Sequence, residues 1–353
     1  MSHGDLSLSL QRQIADQGAL PLSRFMAQCV SHYYAGSDPF GQHGDFITAP
    51  EISQMFGEML GLWANLVWRR MGSPQPIWLA ELGPGRGTLM VDLLRAAGVD
   101  PAFAAALRPC LVETSPSLRL QQQRNLADSG AVWLLSIDDL PAGPIILLAN
   151  EFFDALPIDQ YVCRADGWHE RRVGWGDGGF CFVDGPTIDV SRMRSWGAPE
   201  SAAGAIFEVG HAGLALAERL GRRFARSQGV LLVIDYGPAE PGAGDTLQAL
   251  GRHRHVPPLQ RPGQVDLTAH VDFTALARAA GPARASTIVS QGSFLRRLGI
   301  LLRAELLAAA RPDRATALWQ GCCRLIDPDG MGTLFKAMAL SSPDLADLPG
   351  LVP

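Results

Sequence analysis

Ile77-Trp78-Leu79-Ala80-Glu81-Leu82-Gly83-Pro84-Gly85-Arg86-Gly87-Thr88 reads as a strand, a turn and the start of a helix. Residues 77–82 are a short apolar run that glycines end. Gly83, Gly85 and Gly87 remove side chains where the backbone must bend sharply and approach a ligand. Leu89, Val91, Leu93 and Leu94 mark the helix that follows, and its first turn offers free N–H donors. A dinucleotide fingerprint wants G-x-G-x-x-G, and Thr88 stands in the sixth position instead.

The same alternation continues outward. Residues 109–113, 132–135, 145–149 and 230–235 read as strands, with a helix from Leu118 to Leu126 after the second. The run Ile145-Ile146-Leu147-Leu148-Ala149 is unbroken, as in a strand covered on both faces. Strands alternating with helices imply a parallel, doubly wound sheet, whose ligands bind at the carboxyl ends of its strands. The tips to inspect are therefore Gly83, Glu113, Asn150 and Asp235. Upstream, residues 5–72 read as helices broken by glycines between Gly36 and Gly44. Downstream, 158–189 alternates around Asp166-Gly167 and Asp177-Gly178-Gly179, the signal of antiparallel hairpins. Helix is expected at 206–228, one long ordered loop at 237–270, helix at 272–280, strand at 284–290, helix at 294–310 and a final strand at 333–340.

An acid two residues before G-x-G-x-G is the spacing of S-adenosylmethionine (SAM) sites. SAM carries a carboxylate, an ammonium and a sulfonium. Glu81 can hold its cationic end while amides of the Gly83, Gly85 and Gly87 turn contact the other groups. Glu113, closing the second strand, can accept both hydroxyls of a ribose. Asp138 and Asp139 follow the third strand and face an adenine edge in this reading. At the fourth tip, Asn150 and an aromatic occupy places where several nitrogen-alkylating SAM enzymes hold the attacking amine, with Glu151 and Phe152 replacing prolines. The plainer alternatives are a glycine-rich turn without a ligand and a helix cap followed by core aromatics.

Composition bounds the answer. The 353 residues are 47% apolar and 18% charged, which suits a globular chain with a sizeable core. A net charge of −5 argues against nucleic acid as the main partner. Lys336 is the only lysine among 30 basic residues. No apolar stretch is long enough for a membrane span, and the start lacks the pattern of a secretory or transit peptide. A bacterial-type cytoplasmic location is the expectation. Six scattered cysteines without a C-x-x-C fit buried thiols in a reducing compartment, and no metal is expected.

Several stretches together carry a family resemblance. They are GDFITAPEISQMFGE from Gly44, ELGPGRGTLMVDLLR from Glu81, VETSPSLR from Val112, NEFFDALPIDQ from Asn150, VIDYG from Val233, GDTLQA from Gly244, PGQVDLTAHVDF from Pro262 and MGTLFK from Met331. Over about residues 20 to 340 the chain resembles the MidA family, which includes the mitochondrial complex I assembly arginine methyltransferase. The resemblance implies an α/β class I SAM methyltransferase fold: a Rossmann-like doubly wound sheet with its last strand antiparallel, a helical N-terminal cap and inserted segments. The expected domains are 1–75, the cap with its GDF loop, and 76–353, the methyltransferase domain with a hairpin insertion near 158–200 and a long loop near 237–270.

It also implies SAM as cofactor, a protein substrate, arginine methylation and a place in complex I assembly; a homodimer is the assembly expected. An arginine acceptor is demanding, because its pKa above ~12 makes full deprotonation at pH 7 cost roughly 7–9 kcal/mol. Carboxylates can orient the guanidinium and localise its charge away from the attacking nitrogen. The candidates are Asp45, Glu51, Glu151 and Asp154, with His270 and Asp266 able to help or accept a proton. Asp235, on an apolar strand, needs a partner. Two readings compete: an assembly factor or chaperone keeping SAM as a structural ligand, and an NAD-dependent oxidoreductase, which Thr88 opposes.

Overall fold

The computed structural model describes residues 3–36, 48–240, 242–251 and 254–352. The chain divides into two units. One comprises Ile47–Phe153, Ala217–Ala239 and Ala277–Pro353, the other Met1–Phe46, Asp154–Leu216 and Glu240–Leu276.

The first unit is built on an eight-stranded sheet. Across it run Arg284–Ala285, Phe335–Ser341, Gly229–Tyr236, Ile145–Asn150, Ile77–Leu82, Leu107–Val112 and Val132–Leu134, with Val289–Ser290 also paired to Phe335–Ser341. The five from Gly229–Tyr236 to Val132–Leu134 are parallel, and Phe335–Ser341 lies antiparallel to Gly229–Tyr236. The chain starts in the middle at Ile77–Leu82, winds out to Val132–Leu134, then returns to Ile145–Asn150 on the other flank of its first strand. Chain order thus reverses between these two central strands, where doubly wound sheets bind ligands. Ile145–Asn150 is buried up to Ala149 and Gly229–Tyr236 up to Asp235, as the unbroken apolar runs predict for strands with both faces covered.

Helices complete the core. Gln54–Arg70 and Ile300–Ala310 contribute to one cluster with the sheet, in which Phe56, Trp63, Phe103 and Phe294 are fully buried. Each such side chain contributes ~1.5–3 kcal/mol by leaving water. Gln54–Arg70 lies close against Thr88–Ala97. A Cβ on Gly57 would stand 2.5 Å from Asp92 Cβ, and one on Gly61 2.9 Å from Ala96 Cβ, so only glycine permits this approach. That contact fixes residues 49–70 beside the helix that the glycine turn starts.

The second unit holds antiparallel strands in the order Leu20–Pro21, Gly167–Gly176, Asp159–Arg164 and Ile206–Val209, with Gly179–Ile188 paired to Gly167–Gly176. The hairpin expected around Asp177-Gly178 is there: Gly176 faces Gly179, and Asp177 and Gly178 take φ 50 and 77. Helices His3–Gln17 and Leu22–Gly36 place Leu6, Leu10, Phe25, Met26 and Cys29 in this unit's core.

Several sequence expectations are corrected. The domain boundary expected near residue 75 does not divide the structure, because Gln54–Arg70 joins the sheet's core while the two N-terminal helices belong to the unit with the hairpins. Residues 237–270 are not one loop; Arg254–Val256, Gln248–Gly251 and Asp266–Thr268 form a three-stranded sheet of strands too short to show a period. The helix expected over 206–228 begins with strand Ile206–Val209, and helix proper is His211–Phe224. The helix expected over 294–310 is two, Gln291–Leu298 and Ile300–Ala310, parted where Gly299 takes φ 94. The strand expected at 284–290 is two short ones, Arg284–Ala285 and Val289–Ser290. Asp45 and the rest of the GDF segment lie outside the described residues.

Candidate active site

The turn after Ile77–Leu82 has the backbone its glycines predict. Gly83, Gly85 and Gly87 take φ 61, 53 and 79, all left-handed, and Gly87 caps helix Thr88–Ala97. A side chain at any of them would be strained. At Gly83 it would also meet Phe152, whose Cδ2 lies 2.8 Å from the site of a Cβ. The turn is held from behind by a residue that sequence reading missed. Gln122, fully buried on helix Pro116–Asn125, donates from Nε2 to Gly85 O at 2.7 Å and to Glu113 Oε2 at 3.2 Å. Its Oε1 accepts from Trp133 Nε1 at 3.0 Å. One amide thereby joins the first three strand ends. Its helix has almost no apolar face, so nothing in the sequence pattern marked it.

Glu81 and Glu113 are both buried carboxylates. Burial, then the charge of Glu113, push the Glu81 carboxyl from 4.5 up to about 8, against the Met90 backbone N–H. Its Oε2 is buried and accepts no hydrogen bond. Glu113 is also raised by burial, although Ser115 N donates to its Oε1 at 2.7 Å and Gln122 to its Oε2.

The tip of Ile145–Asn150 adjoins this turn, since Ala149 pairs with Leu82. Asn150 donates from Nδ2 to Glu151 Oε1 at 3.2 Å, and its own Oδ1 is buried without a partner. Glu151 takes φ 51, uncommon for a residue with a side chain, and its Oε1 also accepts from Ala49 N at 3.0 Å. Asp235, fully buried, supplies the reason this turn holds its shape. Its Oδ2 accepts from Phe152 N at 3.1 Å and Phe153 N at 3.0 Å, and its Oδ1 from Tyr236 N at 3.0 Å. The partner that Asp235 was expected to need is therefore the backbone of the neighbouring tip.

Glu51 is tied to the glycine turn. Thr88 Oγ1 donates to its Oε1 at 2.6 Å, and Arg86 stands 3.7 Å from Oε2. Asp138, read as an adenine contact, is 64% exposed and 3.6 Å from Arg219. Asp154, Asp266 and His270 belong to the other unit. There Ala269 N donates to Asp154 O at 3.0 Å, His270 N to Thr246 Oγ1 at 2.9 Å, and Tyr34 to Asp266 Oδ1 at 3.3 Å. Burial and the Asp266 and Asp154 charges hold the Tyr34 hydroxyl well above its usual range. So the first unit brings together Glu81, Gly83, Gly85, Gly87, Glu113, Asn150, Glu151 and Glu51, and does not contain Asp154 or His270. Among the described residues no cluster of His, Cys, Asp or Glu is placed to hold a metal.

Two orphaned acceptors, Glu81 Oε2 and Asn150 Oδ1, sit at adjacent strand ends beside a side-chain-free turn. A ligand with an ammonium group and a ribose fits that donor and acceptor set. The fold and the site define a class I SAM-dependent methyltransferase. The chain belongs to the family described as "Putative S-adenosyl-L-methionine-dependent methyltransferase", whose pattern matches residues 59–290. The protein arginine methyltransferase NDUFAF7 homolog, mitochondrial, of Drosophila melanogaster is 34% identical, covering 96% of this chain and 85% of that protein. The human protein arginine methyltransferase NDUFAF7, mitochondrial, is 32% identical over 94% of this chain and 82% of its own length. A Burkholderia thailandensis protein solved with S-adenosyl-homocysteine bound superposes with a TM-score of 0.85 at 27% identity, covering 99% of this chain and 94% of that one.

These findings make the chain a methyltransferase with SAM as its cofactor and set the oxidoreductase reading aside. They correct one expectation. A bacterial-type cytoplasmic location does not agree with the Drosophila and human relatives, which are named as mitochondrial proteins. No helix among the described residues is long and apolar enough to cross a membrane.

Proposed function

We propose that this methyltransferase modifies an arginine nitrogen in a partner protein, with a respiratory complex I subunit as the first substrate to test. The observation that carries the reading is identity of 32–34% with relatives named protein arginine methyltransferases, over more than nine-tenths of this chain. When bound, SAM supplies a methyl group already activated on a cationic sulfur. In this proposal Glu81 Oε2 and Asn150 Oδ1 receive its ammonium, the amides of the glycine turn its carboxylate, and Glu113 its ribose hydroxyls. Glu51 braces the turn through Thr88 and Arg86 rather than meeting substrate.

With the methyl group already activated, alignment is the protein's main contribution, and positioning of this kind can supply ~7–11 kcal/mol. Glu151, strained at a strand tip and anchored to Ala49 N, is assigned to the acceptor. Its carboxylate orients the guanidinium, draws positive charge from the attacking nitrogen, and receives the proton that nitrogen loses. Asp138, Asp154 and His270 are given no role in the transfer. The proposal includes a homodimer, and sedimentation showing only monomer at micromolar concentration removes that element.

The test is incubation of the purified enzyme with isotope-labelled SAM and complex I subunits, followed by mass spectrometry. Label on an arginine supports the proposal. Label confined to lipids, small molecules or other residue types overturns the substrate and leaves the methyltransferase standing.

A further inference from the structure

We propose that the amino-terminal edge of the large sheet carries an anion-binding cavity that receives an acidic segment of a partner protein. Arg219, Arg222, Arg223 and Arg226 line a cavity of about 490 Å³ with Gly143 and Ser227. The four arginines follow i, i+3, i+4 and i+7 along helix His211–Phe224 and the turn after it, so they share one side. Like charges at that spacing weaken a helix. Arg222 and Arg223 suit the negative end of the helix, but Arg219 lies before its last turn and Arg226 beyond it. In a chain of net charge −5 this concentration makes a locally positive surface that an anionic partner would complement.

Arg223 is the framework. It donates from Nη1 to Leu140 O at 3.3 Å and from Nη2 to Pro141 O, while its Nε is buried without a partner. Burial lowers its pKa, a cost that a nearby anion would offset. Arg222 meets only Glu218, at 2.5 Å, and Arg219 only Asp138, at 3.6 Å; both are exposed pairs of little strength. Arg226 is exposed and enters no ion pair among the described residues.

The place differs from the methyl-transfer site. Gly143 and Ser227 precede the starts of Ile145–Asn150 and Gly229–Tyr236, whereas the cofactor groups stand at their ends. Six residues of strand separate the two levels, roughly 20 Å. Guanidinium forks match planar carboxylates in pairs. A short acidic segment would touch only this cavity, whereas a duplex or bilayer would extend over the acidic remainder of the surface. The inference does not depend on which residue is methylated.

The test uses the full chain and a fluorescent glutamate-rich peptide, followed by anisotropy at about 50 and about 200 mM salt. The wild type should bind and weaken several-fold at the higher salt. The Arg222→Glu, Arg226→Glu double variant should bind about tenfold more weakly while S-adenosyl-homocysteine affinity is unchanged. Arg226→Gln, a milder change, should weaken binding by a smaller factor. Peptide binding that is absent in the wild type, or equal in wild type and double variant, overturns the proposal. So does capture of anionic vesicles or duplex DNA through the same arginines without peptide binding.

Discussion

Binding of S-adenosyl-homocysteine should release a proton, and Glu81 should be its source. Burial and Glu113 raise this carboxyl from 4.5 to about 8, so the ligand-free protein holds its proton at pH 7. A cationic ligand group against the orphaned Oε2 favours the ionised form and expels that proton. Apparent affinity should therefore approach a fall of about tenfold per pH unit below 8, or about fiftyfold between pH 8 and pH 6. Stability of the ligand-free protein should run the opposite way. Between 4.5 and about 8 the folded chain keeps a proton that the unfolded chain has lost, so this group's contribution falls as pH rises across that window. At ~1.36 kcal/mol per unit, the whole span is about 5 kcal/mol.

Calorimetry in two buffers of different ionisation heat counts the protons, and thermal unfolding follows stability. Glu81→Gln should flatten both profiles. The ligand's own amino group is common to both experiments, so the difference between wild type and variant isolates Glu81. Equal proton release by both proteins, or equal slopes of stability against pH, would refute the reasoning.

Three further outcomes are expected. Gly83→Ala should cost ~1–2 kcal/mol for a left-handed residue with a side chain and, by displacing Phe152, weaken S-adenosyl-homocysteine binding; calorimetry with unchanged affinity would remove the turn from the ligand site. Asp235→Ala leaves the N–H groups of Phe152 and Phe153 without their acceptor, ~1–3 kcal/mol each, and should lower kcat with ligand affinity nearly retained, whereas Asp235→Asn keeps an acceptor and restores part of the rate. Gln122→Leu cuts the link between Gly85, Glu113 and Trp133 and should weaken ligand binding in a folded protein, which circular dichroism and calorimetry together would check.

What the sequence makes legible is local. Residues 77–88 announce themselves because an apolar strand and three alternate glycines fix backbone and burial without reference to distant residues. Tip residues follow once the doubly wound order is read. Long-range partners do not. Glu51 reads as a candidate acid for the acceptor, and the approach of Gly57 and Gly61 to helix Thr88–Ala97 brings it to Thr88 instead. Asp235 is recognisable as a buried acid, yet two of its partners are backbone amides more than eighty residues away, to which no residue type corresponds. Asp154 and Phe153 are adjacent in sequence and fall in different units, so a motif that looks continuous is divided by the fold.

The ligand-free pocket concentrates unfavourable features within a few residues. Glu151 holds left-handed backbone, Glu81 is denied its charge, and Asn150 Oδ1 is buried without a donor. Strained residues of this kind cost ~1–3 kcal/mol each and persist only where surrounding structure enforces them. Here Asp235, Gln122 and Glu51 do so, each spending polar atoms on the strand tips and the glycine turn. Those braces keep the acceptors aligned before the ligand arrives, so binding needs little reorganisation and recovers the lost hydrogen bonds. Ligand at a hundred times its Kd adds ~2.7 kcal/mol to any folded protein that binds it. At a fixed concentration of S-adenosyl-homocysteine, binding below pH 8 must first expel the Glu81 proton, so the rise in Tm should shrink in acid and lose that dependence in Glu81→Gln.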